Sequence, residues 1–233
     1  MGEAKAALND PWPNGLALYR PPAGRRVLVM APHPDDEAVG CGAYLARLAA
    51  RGAVVVVVFV TSGGAALDGR IDPVAASHRV AESRRALEFL GVRESYYWEL
   101  PDGRLAMLAP PAARFAALVS RFDPDLIFVP HAGEAHPDHA TVAGWPALLA
   151  DDERDGRCVL TYEIWTPLAP AWVADATAHY ACKLAAIRAY ESQCRKYGLD
   201  RLALGLNRYR AAWARMRSWR FAEAFGRFGE EMA

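Results

Sequence analysis

Three short runs constrain the fold of this chain more than anything else in it: RRVLVMA (25–31), AVVVVVFVT (53–61) and PDLIFVP (124–130). Each is continuously apolar or nearly so and rich in β-branched residues. Strands of this kind are buried on both faces, as in parallel sheets covered by helices on each side. The intervening segments fit that arrangement. DEAVGCGAYLARLAARG (36–52) has helical periodicity and ends at Gly52, which suits the left-handed turn after a helix. A second helix is expected over about Val74–Leu90, closed by Gly91, a third over about 111–121, and a fourth from the HPDH stretch to about Leu149. SYYWEL (95–100) and CVLTYEIWT (158–166) complete five predicted strands, and the remainder reads as mainly helical, with runs near Lys183–Tyr190 and Tyr209–Phe225. Strands separated by helices imply βαβ units. The expected fold class is therefore α/β, a Rossmann-like three-layer sandwich with a mostly parallel sheet.

A chain of 233 residues suits one domain. Residues 1–233 are read as a single unit, with a Pro-rich leader over 1–24 and a helical C-terminal region from about 181 to 233. Lys plus Arg equals Asp plus Glu at 27 each, so no net field draws the chain to nucleic acid or acidic membranes. The arginine-aromatic stretch YRAAWARMRSWRF (209–221) reads accordingly as an amphipathic helix packed on the sheet. The run GAVVVVVFV is too short to span a bilayer, and MGEAKAALNDPWPNG lacks the basic start and apolar core of a signal peptide. A cytoplasmic protein is expected, and a homo-oligomer is compatible with this composition. Cys41, Cys158, Cys182 and Cys194 form no CxxC pair and read as reduced thiols. Gly40 and Gly42 lack the full G-x-G-x-x-G and read as close helix–strand packing.

Two polar stretches interrupt this apolar pattern. HPDDE (33–37) follows the first strand, and HPDH (136–139) follows the PDLIFVP strand. Both fall at carboxyl ends of strands, where ligands bind in such sheets. Acids in the first turn of a helix are often only caps, but capping does not account for His33. If the two strands are neighbours, His33, Asp36 and one histidine of the second stretch can converge. Two imidazoles and one carboxylate form a three-ligand set with open positions, as in catalytic zinc sites, and the same set suits non-haem Fe(II). Asp35 then remains beside the metal as a proton acceptor for water. The other histidine can hydrogen-bond a developing oxyanion or protonate a leaving amine, with Asp138 orienting it.

APHPDDEAVGCG followed by HPDH closely resembles the LmbE-like, or PIG-L, family of zinc-dependent de-N-acetylases, and the likeness extends through RVAESRRALEFLGV, LPDGRL, KLAAIRAYESQ and AEAF. The resemblance implies the LmbE-like deacetylase fold. It also implies His33, Asp36 and His139 as Zn2+ ligands, Asp35 as general base, His136 as electrostatic or acid partner and Asp138 as its support. Arg79 and Asp102 match positions that line the substrate pocket in sugar-binding members. The implied substrate is a small N-acylated amino sugar or glycoconjugate. Two positions depart from the family: Gly64 stands where T-x-G-E has its glutamate, and Glu134 where some members have a tyrosine.

Two other readings compete. A 2-His-1-carboxylate Fe(II) oxygenase would leave Asp35 idle, and such ligands usually sit on a β-sandwich. A non-catalytic sugar-binding module with a structural metal would need a fourth ligand to close the site. His131 and the aromatics Tyr162, Trp165 and Trp172 are candidates for the pocket wall or the core.

Overall fold

The structure, a computed structural model, describes residues 25–64, 72–150, 156–214 and 216–229. The expected leader over 1–24 lies outside the described residues. The ordered elements are β1 (Arg26–Ala31), α1 (Asp36–Ala50), β2 (Val54–Thr61), α2 (Pro73–Leu90), β3 (Glu94–Leu100), α3 (Ala112–Phe122), β4 (Leu126–Pro130), α4 (Pro137–Ala143), β5 (Cys158–Tyr162), β6 (Trp172–Asp175), α5 (Tyr180–Ala189), α6 (Glu191–Tyr197), α7 (Leu199–Trp213) and β7 (Ala222–Arg227).

The continuous apolar runs are buried on both faces, as their composition requires. Val27 and Val29 of β1, Val55, Val57 and Phe59 of β2, and Leu126 and Phe128 of β4 pack into one core with α1, α2, α5 and α7. The residues between them (Leu28, Met30, Val56, Val58, Val60, Ile127 and Val129) pack into a second core with α3 and Val142 of α4. Burying each such side chain contributes about 1.5–3 kcal/mol relative to leaving it exposed. That reservoir offsets a site rich in buried charge.

The seven strands run in the order β3-β2-β1-β4-β5-β7-β6. The first five are mutually parallel, and β7 is antiparallel to β5 and to β6. From β1 the chain winds outward through β2 and β3, then returns to place β4 on the other side of β1. The strand order reverses between β1 and β4, and the crevice beyond their carboxyl ends is where such sheets hold ligands. HPDDE and HPDH open on that crevice from the two sides.

The C-terminal third corrects the sequence reading. The helix expected over Tyr209–Phe225 instead begins at Leu199 and ends at Trp213, and β6 and β7 were not anticipated. The helix expected to run to Leu149 stops at Ala143 and continues as a 3-10 turn over Trp145–Leu148. Gly40 does serve close packing, since a Cβ there would clash with the edge of the Tyr162 ring at Cδ2. Among the described residues no helix is long and apolar enough to cross a membrane. All four cysteines are unpaired.

Candidate active site

Pro32 and Pro34 take the chain out of β1 in a turn tied to the neighbouring strand. The Thr61 backbone N–H and hydroxyl both donate to the Pro32 carbonyl at 2.9 Å. Asp35 then adopts φ 126°, a conformation that L-residues rarely visit and that costs about 1–3 kcal/mol. Two partners hold it there. The Asp35 N–H donates to Glu37 Oε2 at 3.2 Å, and the other oxygen of Glu37 accepts from the Tyr190 hydroxyl at 2.6 Å. The Arg79 guanidinium donates to Asp35 Oδ2 at 2.8 Å and to the carbonyls of Gly63 and Pro34. Asp35 occupies the N-cap of α1, yet its side chain caps nothing. The Asp35 carboxylate is not there to cap the helix.

His33 Nδ1, Asp36 Oδ2 and His139 Nε2 form a nearly equilateral triangle, with edges of 3.1, 3.2 and 3.3 Å. Tetrahedral coordination with bonds of about 2.0–2.1 Å has edges of about 3.3–3.4 Å. The three atoms are thus already spaced to share one cation. His33 is 7% exposed, Asp36 2% and His139 1%. Asp35, Asp36, Asp102, Glu134 and Asp138 are all buried around this triangle, with Arg79 as the compensating guanidinium. Such an excess of buried negative charge is costly unless a cation joins it. The imidazoles respond accordingly. Burial alone would lower both, but Asp102, Asp138 and Asp36 hold His33 well above its ordinary pKa, and Asp36 and Glu134 hold His139 at about 9. Burial would likewise raise Asp36, but His139 and His33 keep it far below the carboxylate range. Donor types, spacing and charge all fit a divalent metal.

Asp35 stands outside the triangle. Burial pushes its carboxyl up to about 7, against the pull of Arg79 and with the push of Asp36. His136 is half-buried, the most open of the three site histidines, and its ring centroid lies 4.6 Å from that of His33 and 5.0 Å from that of His139. Its Nδ1 accepts the Asp138 N–H at 3.2 Å and caps α4, which leaves Nε2 for the crevice. Burial, together with the charge of His33 and His139, lowers its pKa.

Three expected roles look different in place. Asp138 does not reach the His136 ring. Its carboxylate accepts from the Gly103 and Leu105 N–H groups at 2.7 and 3.0 Å and approaches His33 Nε2 at 3.3 Å. Asp102, expected to face a sugar, lies 3.0 Å from the same nitrogen. Arg79, expected to bind substrate, has both terminal nitrogens engaged with the HPDD turn and the Gly63 carbonyl.

Glu134, noted in the sequence only as a missing tyrosine, is a buried anchor. It accepts from the N–H groups of Ile164, Trp165 and Thr166 at 2.6, 3.1 and 3.3 Å, and stands 3.5 Å from His139 Nδ1, on the far side of that ring from the triangle. Its pKa sits at about 2, because the nearby imidazoles of His131 and His139 and the Ile164 N–H outweigh burial. An acid between the end of β4 and HPDH was the only signal available in the sequence. His131 bonds the Thr166 carbonyl through Nε2 at 2.7 Å and so belongs to this support. Gly64 has no room for a side chain, since a Cβ would meet Ala76 Cβ at 2.9 Å and the Asp72 carbonyl at 3.0 Å. Tyr162 and Trp172 are core residues, whereas Trp165 is 40% exposed, edge-on to Tyr197.

Residues 28–145, which carry His33, Asp35, Asp36, Arg79, Asp102, Glu134, His136, Asp138 and His139, match the family model described as PIG-L: GlcNAc-PI de-N-acetylase. The chain belongs to the PIG-L family. Within it, the chain is 34% identical over 161 residues to a 1D-myo-inositol 2-acetamido-2-deoxy-alpha-D-glucopyranoside deacetylase of Kineococcus radiotolerans; the match covers 54% of this chain and 45% of that relative. It is 26% identical over 187 residues to the diacetylchitobiose deacetylase of Thermococcus kodakarensis, covering 72% and 70% of the two. This PIG-L chain thus spans about half the length of the first of these relatives. Among solved structures, the 4-carboxy-2-hydroxymuconate hydratase of Pseudomonas putida KT2440 superposes with a TM-score of 0.74 at 20% identity, covering 90% of this chain and all of that one. That likeness shows the fold alone, and it shows that one fold carries more than one chemistry. The site must decide the chemistry.

Proposed function

We propose that this chain is a metal-dependent amide hydrolase that removes an N-acetyl or related acyl group from an amino sugar or its conjugate. The triangle of His33 Nδ1, Asp36 Oδ2 and His139 Nε2, with Asp35 beside it but outside it, carries the proposal. A structural metal would be closed by a fourth protein ligand, whereas a catalytic one keeps a position open.

In this reading His33, Asp36 and His139 hold Zn2+; the same donors suit Fe2+. When bound, the ion acidifies water and polarises a carbonyl oxygen. Asp35 accepts the proton of the attacking water. Arg79 fixes one of its oxygens, which leaves Oδ1 for this task. As the water oxygen bonds to the carbonyl carbon, His136 Nε2 stabilises the developing oxyanion. The C–N bond then breaks and the proton passes to the leaving nitrogen. The products are the carboxylic acid and the free amine, which ionise to carboxylate and ammonium near neutral pH, so atoms and charge balance.

Asp102 and Asp138 orient His33 through its far nitrogen, Glu134 does so for His139, and Arg79 orients Asp35. Partners of this kind fix the tautomer and ring direction of a ligand. The reading assigns the sugar to the loops above the crevice, and it places the chemistry in the cytoplasm, in keeping with four unpaired thiols.

The test is release of acetate and free amine from a panel of N-acetylhexosamine conjugates and N-acetylated amino acids, with the zinc-loaded chain. Turnover of the sugars, abolished by a chelator and restored by zinc, is the expected outcome. Activity confined to amino acids would keep the amidase and remove the sugar, and no amine release from any substrate would remove the amidase.

A further inference from the structure

Helix α1 is broken soon after it starts. Cys41 has φ −139° and ψ 16°, far from helical values. In an unbroken helix the Ala43 N–H would donate to the Val39 carbonyl and the Tyr44 N–H to that of Gly40. Here both N–H groups donate to the Glu223 carboxylate of β7, at 3.0 and 2.7 Å. The Val39 carbonyl accepts instead from the Lys183 ammonium of α5 at 2.7 Å, and Lys183 pairs with Glu223 at 2.7 Å. Lys183 is fully buried and Glu223 is 1% exposed. The hydrolysis outlined above uses neither.

Each charge matches the helix end it meets. The carboxylate serves the positive start of the second segment, and the ammonium serves the negative end of the first. Stability is a weak explanation for the pair, because well-packed apolar replacements of a buried ion pair are often neutral or stabilising. What the pair does is keep α1 in two pieces. The first piece, from Asp36 to Gly40, becomes a short arm whose direction decides where Asp36 meets the two histidines. Gly40 seats that arm on the Tyr162 ring, whose hydroxyl donates to the Met30 carbonyl at 2.8 Å.

We propose that the buried Lys183–Glu223 pair is a positioning device: by holding α1 broken at Cys41 it sets the place of Asp36 in the metal triangle and of Asp35 next to it. The inference rests on the reading of Asp36 as a metal ligand. It makes two distant, buried residues determinants of metal affinity.

The test uses the full chain, wild type against Glu223→Gln and the double variant Lys183→Met/Glu223→Met. Zinc affinity of the folded protein is measured by chelator competition, and thermal melts are recorded without metal. In the double variant the pair's space is filled by apolar side chains of similar length, so the 39–43 and 40–44 bonds can form and swing the arm. It should melt close to wild type yet bind zinc about 10–100-fold more weakly, the scale seen when support of a ligand is lost. Glu223→Gln, nearly isosteric, should weaken zinc in the same direction by a smaller factor. A purely structural pair would lower the melting temperature and leave zinc affinity unchanged; wild-type affinity in both variants overturns the proposal. If the double variant does not fold, Glu223→Gln decides alone. An Asp36→Ala control separates the two levels: if it binds zinc as wild type does, the ligand reading has failed and the inference falls with it, whereas loss of zinc there with wild-type affinity in both pair variants overturns the inference alone.

Discussion

Replacing Asp35 with asparagine separates the base from the rest of the site. The substitution keeps the volume, the φ 126° turn and an oxygen for the Arg79 guanidinium, which also holds two backbone carbonyls. His33, Asp36 and His139 are untouched, so zinc should be retained at about one per chain. What is lost is a proton acceptor, since an amide does not take a proton at neutral pH. General-base catalysis contributes about 10²–10⁴ in rate, so kcat should fall by at least about a hundredfold, or about 2.7 kcal/mol of barrier. The fold should not suffer in parallel. Burial raises the Asp35 pKa from 3.8 to about 7. A carboxyl raised on folding holds its proton more tightly in the folded state, so its contribution to stability is present below 3.8 and is lost as pH rises through about 7. Asparagine cannot ionise, so the metal-free variant should melt no lower than wild type at pH 8. Amine release under saturating zinc, metal analysis and a thermal melt together make the assay. A zinc-loaded Asp35→Asn enzyme turning over within tenfold of wild type would refute the reasoning and place the base elsewhere.

Three further outcomes follow from the geometry. His139→Ala removes one corner of the triangle and should abolish zinc retention in metal analysis; full occupancy would strike His139 from the ligands. His136→Ala should lower kcat by about a hundredfold with KM little changed, the signature of a group acting in the transition state, whereas loss of zinc would mean that His136 and His139 have exchanged roles. Arg79→Met removes the cation that favours the Asp35 carboxylate, so the acid limb of kcat/KM should move to higher pH by about one unit or more. An unmoved limb with a raised KM would return Arg79 to the substrate.

Much of this site could be read in the sequence because its parts lie where strands end. Strands β1, β2 and β4 are buried on both faces and leave unbroken apolar runs, so their ends, and the HPDDE and HPDH that follow, are sharply marked. The C-terminal strands leave no such trace. In β7, AEAFGR mixes small residues with a glutamate that is buried only because Lys183, distant in sequence, meets it. In β6 only four residues pair, at the sheet edge, with β7. The supporting role of the buried acids leaves no trace for the same reason. Glu134, Asp102 and Glu37 act through a histidine, a histidine and a backbone N–H brought close by tertiary packing, and a single acid in a loop has no spacing to announce that. Arg79 stands out in the sequence, but its partner Asp35 lies 44 residues away, with α1 and β2 between them.

The most direct test of the account is zinc X-ray absorption on the wild-type chain, combined with metal analysis. Three protein donors of two kinds at one open position predict one zinc per chain and a shell of nitrogen and oxygen at about 2.0–2.1 Å. The outer scattering should be that of two imidazoles, and it should fall to one in His139→Ala reloaded at high zinc. Sulfur in the first shell, from any of the four unpaired cysteines, or zinc bound without imidazole, would contradict the triangle of His33, Asp36 and His139.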